Sequence, residues 1–148
     1  MAATSRTWLL LAYKMPRDPT AGRVAVWRKL KQLGAVALQD AVWFLPATPQ
    51  AREQFQWLAA EIEELAGEAT LWESRLLAEA MERRVIAQFT EPVESAYRDI
   101  LRELKKKRPD LTLLSKRYQQ IQARDYFRSE LGTKVRTALV TARGDAGR

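Results

Sequence analysis

Between Arg23 and Pro46 the hydrophobic period changes twice, and that change does most to limit what this chain can fold into. In RVAVWRKLKQLG, Val26, Trp27, Leu30 and Leu33 recur at helical spacing, with Arg28, Lys31 and Gln32 facing outward. From Ala35 the period becomes that of strands. Val36 and Leu38 alternate, Gln39-Asp40 interrupts, and Val42-Trp43-Phe44-Leu45 resumes as an aromatic, β-branched run stopped by Pro46. A basic amphipathic helix followed by a tight hairpin is the reading, with Gly34 closing the helix in the left-handed conformation.

The flanks repeat the scheme. Thr7–Tyr13 (TWLLLAY) is a short apolar run ended by Met15-Pro16 and predicts a buried strand. Asp18 or Thr20 is placed to cap the first helix. Thr48-Pro49 opens a second helix that Gly67 closes, with Phe55, Leu58, Ile62 and Leu65 inward and Glu53, Glu61, Glu63 and Glu64 largely outward. Ala69–Arg75 predicts a half-exposed strand with Thr70, Trp72 and Ser74 on one side. The order β-α-β-β-α-β predicts an α+β, ferredoxin-like sandwich over residues 1–77, its two helices on one face of an antiparallel sheet.

Residues 78–148 read as a basic helical extension. Leu76–Phe89 leads to a break at Thr90-Glu91-Pro92 and a restart carrying Val93, Tyr97, Ile100, Leu101 and Leu104, which ends in Lys105-Lys106-Lys107-Arg108 before Pro109. Two more stripes follow: Leu111, Leu114, Tyr118 and Ile121, then Leu131, Val135 and Leu139, with Gly132 near the joint. These stripes require a partner: each other, the uncovered sheet face, or a second chain. Residues 144–148 are expected to fray.

The net charge of +7 is unevenly placed: residues 1–97 hold 11 Lys+Arg against 12 Asp+Glu, and residues 98–148 hold 14 against 6. Such a concentration favours a polyanion as partner, against the plainer role of keeping the chain soluble. The predicted DNA-contacting set is Lys14, Arg17, Arg23, Arg28 and Lys31 at the first helix, Lys105, Lys106, Lys107 and Arg108 after the third, and Lys116 and Arg117 beyond. Lys29 belongs to the first patch, and Arg124, Arg128, Lys134 and Arg136 extend the last. Any one of these cations is ordinarily a solvated surface charge; their collective asymmetry is the signal.

Catalytic chemistry has little to stand on. With no Cys and no His, thiolate nucleophiles, imidazole bases, disulfides and the usual zinc ligands are excluded, and no phosphate loop or serine elbow is present. Asp18 and Asp40 are the acids nearest the end of the first strand, and both read as local caps or turn residues rather than magnesium ligands. The glutamates from Glu61 to Glu68 read as a solvated face. The expectation is a non-enzyme with no metal and no cofactor, and the short Trp8–Ala12 run excludes a signal peptide or membrane span, which places the protein in the cytoplasm. The five tryptophans fall one each in five of the six predicted elements, all but the first hairpin strand. That argues first for packing, with Trp27 assigned to the core and the others open between core and dimer contact.

Read together, Trp8-Leu9-Leu10-Leu11, Arg23–Leu30, Leu33-Gly34-Ala35-Val36, Leu38-Gln39-Asp40, Val42-Trp43, Leu45–Thr48, Arg52–Leu58, Glu61-Ile62, Gly67–Trp72 and Ile121–Phe127 resemble the N-terminal domain of the ChrB family of chromate-resistance regulators. More distantly, Arg23, Leu30, Gly34, Gln39 and Val42-Trp43 are similar to ferredoxin-like proteins of CRISPR spacer acquisition and to a domain of phenylacetate-responsive repressors. The resemblance implies a cytoplasmic transcription regulator that binds DNA, acts as a homodimer and responds to chromate, a tetrahedral dianion suited to paired guanidinium donors. It carries over no nuclease activity, because the acid that those nucleases place at the end of strand one is replaced by the Lys14 neighbourhood. Longer family members continue into a second domain, so the alternative expectation is an interaction or dimerisation module that pairs with a separate sensor domain.

Overall fold

The computed structural model describes residues 6–146. The chain divides into two compact units, residues 1–85 and 86–148. The first is built from β1 (Trp8–Lys14), α1 (Thr20–Gln32), β2 (Val36–Gln39), β3 (Val42–Pro46), α2 (Pro49–Glu64) and β4 (Glu68–Ser74). The strands form one antiparallel sheet in the order β2-β3-β1-β4, the ferredoxin-like arrangement expected of an α+β chain with this element order.

Register decides which side chains meet the helices. Leu9 pairs with Leu45 and Glu73, and Leu11 with Trp43 and Leu71, so these residues share a face. Against that face α2 buries Phe55, Leu58 and Ile62, while α1 contributes Val26 and Leu30. Leu11, Val26, Leu30, Leu45, Phe55 and Ile62 are completely excluded from solvent. At about 25 cal/mol per Å² of apolar surface, each such side chain contributes roughly 1.5–3 kcal/mol before entropic costs. On the reverse face Trp8 packs edge-on against Phe44, with ring centroids 5.7 Å apart.

Three local expectations are corrected, and one holds with a further constraint. Neither Asp18 nor Thr20 caps α1: Pro19 occupies the cap position and no side chain accepts a bond there, so Asp18 falls one residue too early. Gly67 does close α2, its amide donating to the Ile62 carbonyl at 2.8 Å, while Ala66 beside it takes the positive φ of 66°. Glycine is required at 67 for another reason. A Cβ there would lie 2.6 Å from the Lys14 carbonyl oxygen and 2.8 Å from Ile62 Cγ2. Trp27 is not core but 49% exposed, since the buried stripe of α1 contains only Val26 and Leu30, and the residue after Val26 is rotated about 100° away from it. Finally, the helix does not break at Pro92: α3 runs unbroken from Glu79 to Leu104. The stripe Phe89, Val93, Tyr97 and Ile100 stays buried through the proline, and packing of that stripe outweighs the lost amide bond.

Several expectations hold. Thr48 Oγ1 accepts a hydrogen bond from the Ala51 amide at 3.0 Å, with Pro49 at the first helical position. Gly34 closes α1 at φ 74°, and Asp40 with Ala41 forms the hairpin turn, Ala41 at φ 64°.

The second unit is wholly helical: the remainder of α3, then α4 (Leu111–Gln122) and α5 (Glu130–Ala146). Its stripes satisfy one another. Val93, Tyr97, Ile100, Leu114, Ile121, Val135 and Leu139 form one core, with Leu101, Leu104, Tyr118 and Leu131 packed against it. Gly132 lies at the closest approach, where a Cβ would meet the Tyr97 hydroxyl at 3.0 Å. α5 is helical through Ala146, so the expected fraying does not begin at Gly144; residues 147 and 148 lie outside those described.

Candidate nucleic-acid interface

The predicted cations fall into two settings, one in each unit. In the first unit, Lys14 ends β1, and Arg23 and Lys31 project from α1 two turns apart; all three line an open groove of about 840 Å³. Its other walls come from Tyr13, Met15, Thr20, Val24 and Trp27, and from Ala37, Gln39, Asp40, Ala41 and Trp43 of the hairpin. The bulged β2–β3 register between Ala37 and Gln39 and the bond from the Tyr13 amide to the Ala41 carbonyl, 3.0 Å, hold the hairpin tip against the end of β1. Lys31 Nζ stands 5.7 Å from the Trp27 ring centroid and 6.0 Å from that of Trp43, within cation–π range of both.

Burial raises the pKa of Tyr13 above the ordinary tyrosine value, while a hydrogen bond with Trp43 and the Arg23 charge pull it back. Its hydroxyl therefore stays neutral at physiological pH. Arg17 and Arg28 are exposed but do not line the groove, and Lys29 is committed to Glu61 at 2.7 Å.

In the second unit, Lys105, Lys106, Lys107 and Arg108 occupy the α3–α4 connection and Lys116 and Arg117 the exposed surface of α4. Lys106 is paired with Glu103 at 2.9 Å, and Arg102 with Asp99. The Lys106 bond, with smaller help from the Arg117 charge, holds the Glu103 carboxyl below its usual range. Lys105, Lys107, Arg108, Lys116 and Arg117 make no ion pair among the described residues. Most of the predicted trailing cations are thus left without an ion pair among the described residues.

Sequence reading missed the polar network that fixes this unit. Tyr97, 1% exposed, donates to Asp125 Oδ2 at 2.9 Å; both Asp125 oxygens accept from the Ser129 amide at 3.1 Å. The Ser129 hydroxyl donates to Glu94 at 3.0 Å and accepts from the Leu131 amide at 3.2 Å, capping α5. Burial and the Asp125 charge raise the Tyr97 pKa strongly. The available signal was Asp125 four residues before Ser129, immediately ahead of the apolar run of α5. Among the described residues no cluster of carboxylates is arranged to hold a metal ion, and no helix is long and apolar enough to cross a membrane.

Comparison with known proteins adds an independent line. Residues 23–112, more than half of the chain, match the family described as Protein ChrB, N-terminal. Protein ChrB of Cupriavidus metallidurans is 41% identical over 54 residues, which are 36% of this chain and 17% of that protein. The aligned stretch thus spans under a fifth of its relative. No solved structure matches this chain.

Proposed function

This chain belongs to the ChrB N-terminal family, and from that premise we propose that it is a regulatory module of chromate resistance that binds DNA through the phosphate backbone. One observation supports the DNA part above others: in the second unit five of the six predicted cations are exposed and make no ion pair among the described residues, Arg117 acting only at a distance on Glu103. Phosphate contacts of this kind position a protein on a duplex without reading sequence. The assignment is regulatory rather than enzymatic, with cytoplasmic DNA as partner and chromate as effector.

The test is fluorescence anisotropy on duplex DNA from upstream of the chain's own gene, with and without chromate, across a salt series. Affinity is expected to fall linearly with salt on logarithmic axes, and reversal of Lys105–Arg108 to glutamate to abolish binding. Binding that ignores that reversal removes the α3–α4 connection from the reading.

A second reading, self-association, is favoured by the outer edge of the sheet. β4 is an edge strand with Leu71 39% and Trp72 59% exposed, and Trp57 on neighbouring α2 is 72% exposed. Apolar side chains exposed on an edge strand offer a pairing surface, although Glu68 and Glu73 charge the same strand. A Trp72→Glu variant is expected to convert a homodimer to monomer in sedimentation; a wild-type monomer would end that reading.

A further inference from the structure

The groove between α1 and the β2–β3 hairpin combines two kinds of recognition that the trailing cations lack. Three cations, Lys14, Arg23 and Lys31, face a single carboxylate, Asp40, in its lining. Trp27 is half exposed at its wall although tryptophan is normally covered, and Lys31 lies over both Trp27 and Trp43. The volume, about 840 Å³, is within the range of sites that take small organic ligands. Solvated charges need no cavity, and here three of them share one with a half-exposed tryptophan.

From this arrangement we infer that the groove is a site for an unstacked nucleotide, its base laid on Trp27 and its phosphate held by Arg23, Lys31 and Lys14. Stacking on an aromatic ring is open to every base and contributes about 1–3 kcal/mol for each. The phosphate is served by the guanidinium fork of Arg23 and two ammonium groups. Gln39, Thr20 and Asp40 add hydrogen-bonding groups suited to a base edge. A base inside a duplex is stacked on its neighbours and does not reach such a wall, so the occupant is a nucleotide of a single strand or a free one. The inference does not depend on duplex binding by the second unit.

The experiment uses the full chain and a labelled short thymidine oligonucleotide, with thymidine monophosphate and an abasic strand of equal length as competitors. Trp27→Ala is expected to weaken binding about tenfold and Trp27→Phe to restore most of it. Lys31→Gln is expected to weaken binding and lower the salt slope by roughly one charge. Displacement by thymidine monophosphate identifies a free nucleotide as a sufficient ligand, and displacement by the oligonucleotide alone identifies a strand; both support the site. In the Lys105–Arg108 reversal background, equal competition by the abasic strand, or a folded Trp27→Ala protein that binds as tightly as the protein with Trp27 intact, overturns it. If thermal melting shows Trp27→Ala unfolded, Trp27→Phe and Lys31→Gln carry the test, and unchanged affinity and salt slope in both overturn it. The Lys105–Arg108 reversal separates the two readings: duplex binding lost with oligonucleotide binding retained leaves this site standing on its own.

Discussion

The two units close their interiors by different means and present different surfaces as a result. The sheet unit is closed by backbone: strand pairing fixes register, and the chain returns past β1 so tightly at Gly67 that no side chain fits there. Its helices need bury only a few residues each, which leaves three tryptophans, Trp27, Trp57 and Trp72, at the surface. The helical unit has no such frame. It is closed by interlocking side chains and by the Tyr97–Asp125–Ser129–Glu94 network, and its apolar residues are largely spent inward, leaving mainly charge outside. Surface aromatics with a few cations can discriminate between ligands by stacking, whereas dispersed cations attract any polyanion.

The contrast breaks first at its two closing devices. Gly67→Ala forces a Cβ against a carbonyl that the pairing of Lys14 with Glu68 holds in place, and is expected to cost about 3 kcal/mol. Urea unfolding followed by tryptophan fluorescence reports it cleanly, since all five tryptophans lie between residues 8 and 72. A loss under about 0.5 kcal/mol would show that the strand gives way and that backbone does not close this unit. Asp125→Ala is next, at about 2 kcal/mol, because it strands the buried Tyr97 hydroxyl and frees the Ser129 amide. Asp125→Asn keeps an acceptor and should recover most of that stability in circular dichroism at the helix band. Equal losses in both variants would make the network incidental.

Pro92→Ala runs the other way. Pro92 is exposed within an unbroken helix, so alanine restores an amide donor and removes a clash without disturbing the buried stripe. A gain of about 1 kcal/mol is expected after the looser unfolded chain is allowed for. No gain would mean that the helix is already bent to accommodate the ring.

Pro92 also marks where the sequence was legible and where it was not. Period and turn residues located every strand, both sandwich helices and the stripes of α3, α4 and α5, because each of those signals is local. Apart from the cap of α1, which failed locally because Pro19 takes it, the rest depended on contacts between elements. Proline normally stops a helix, and only the packing of Val93 and Tyr97 on the other helices, with Phe89 against Tyr126 and Phe127, overrides it. Gly67 closes α2 as its local signal indicates, but the demand for glycine there comes from a strand 53 positions earlier, at Lys14. Trp27 matched the helical period of Val26 and Leu30, but α1 buries only those two positions and leaves the third in the groove. The same limit applies to charge: the asymmetry was visible in sequence, but the convergence of Lys14, Arg23 and Lys31 required the fold.

The smallest expected effect sharpens the contrast through pH. Tyr126 packs edge-on against Phe89, ring centroids 6.0 Å apart, and burial pushes its pKa up from 10.0 to about 12. The folded unit keeps the phenolic proton while the unfolded chain releases it near the ordinary value. The associated stability is therefore whole below about pH 10 and is lost as the solution rises through about pH 12. Tyr126→Phe has no proton to lose, so its urea midpoint should fall less than that of wild type between about pH 9 and about pH 11. The residual fall belongs in part to Tyr97, whose pKa is raised further by burial and by Asp125. Tyr13 of the groove also resists ionisation by burial, but Trp43 and Arg23 oppose that shift. Alkaline sensitivity should therefore concentrate in the helical unit, as expected if side chains close its core; parallel curves for Tyr126→Phe and wild type would count against that account.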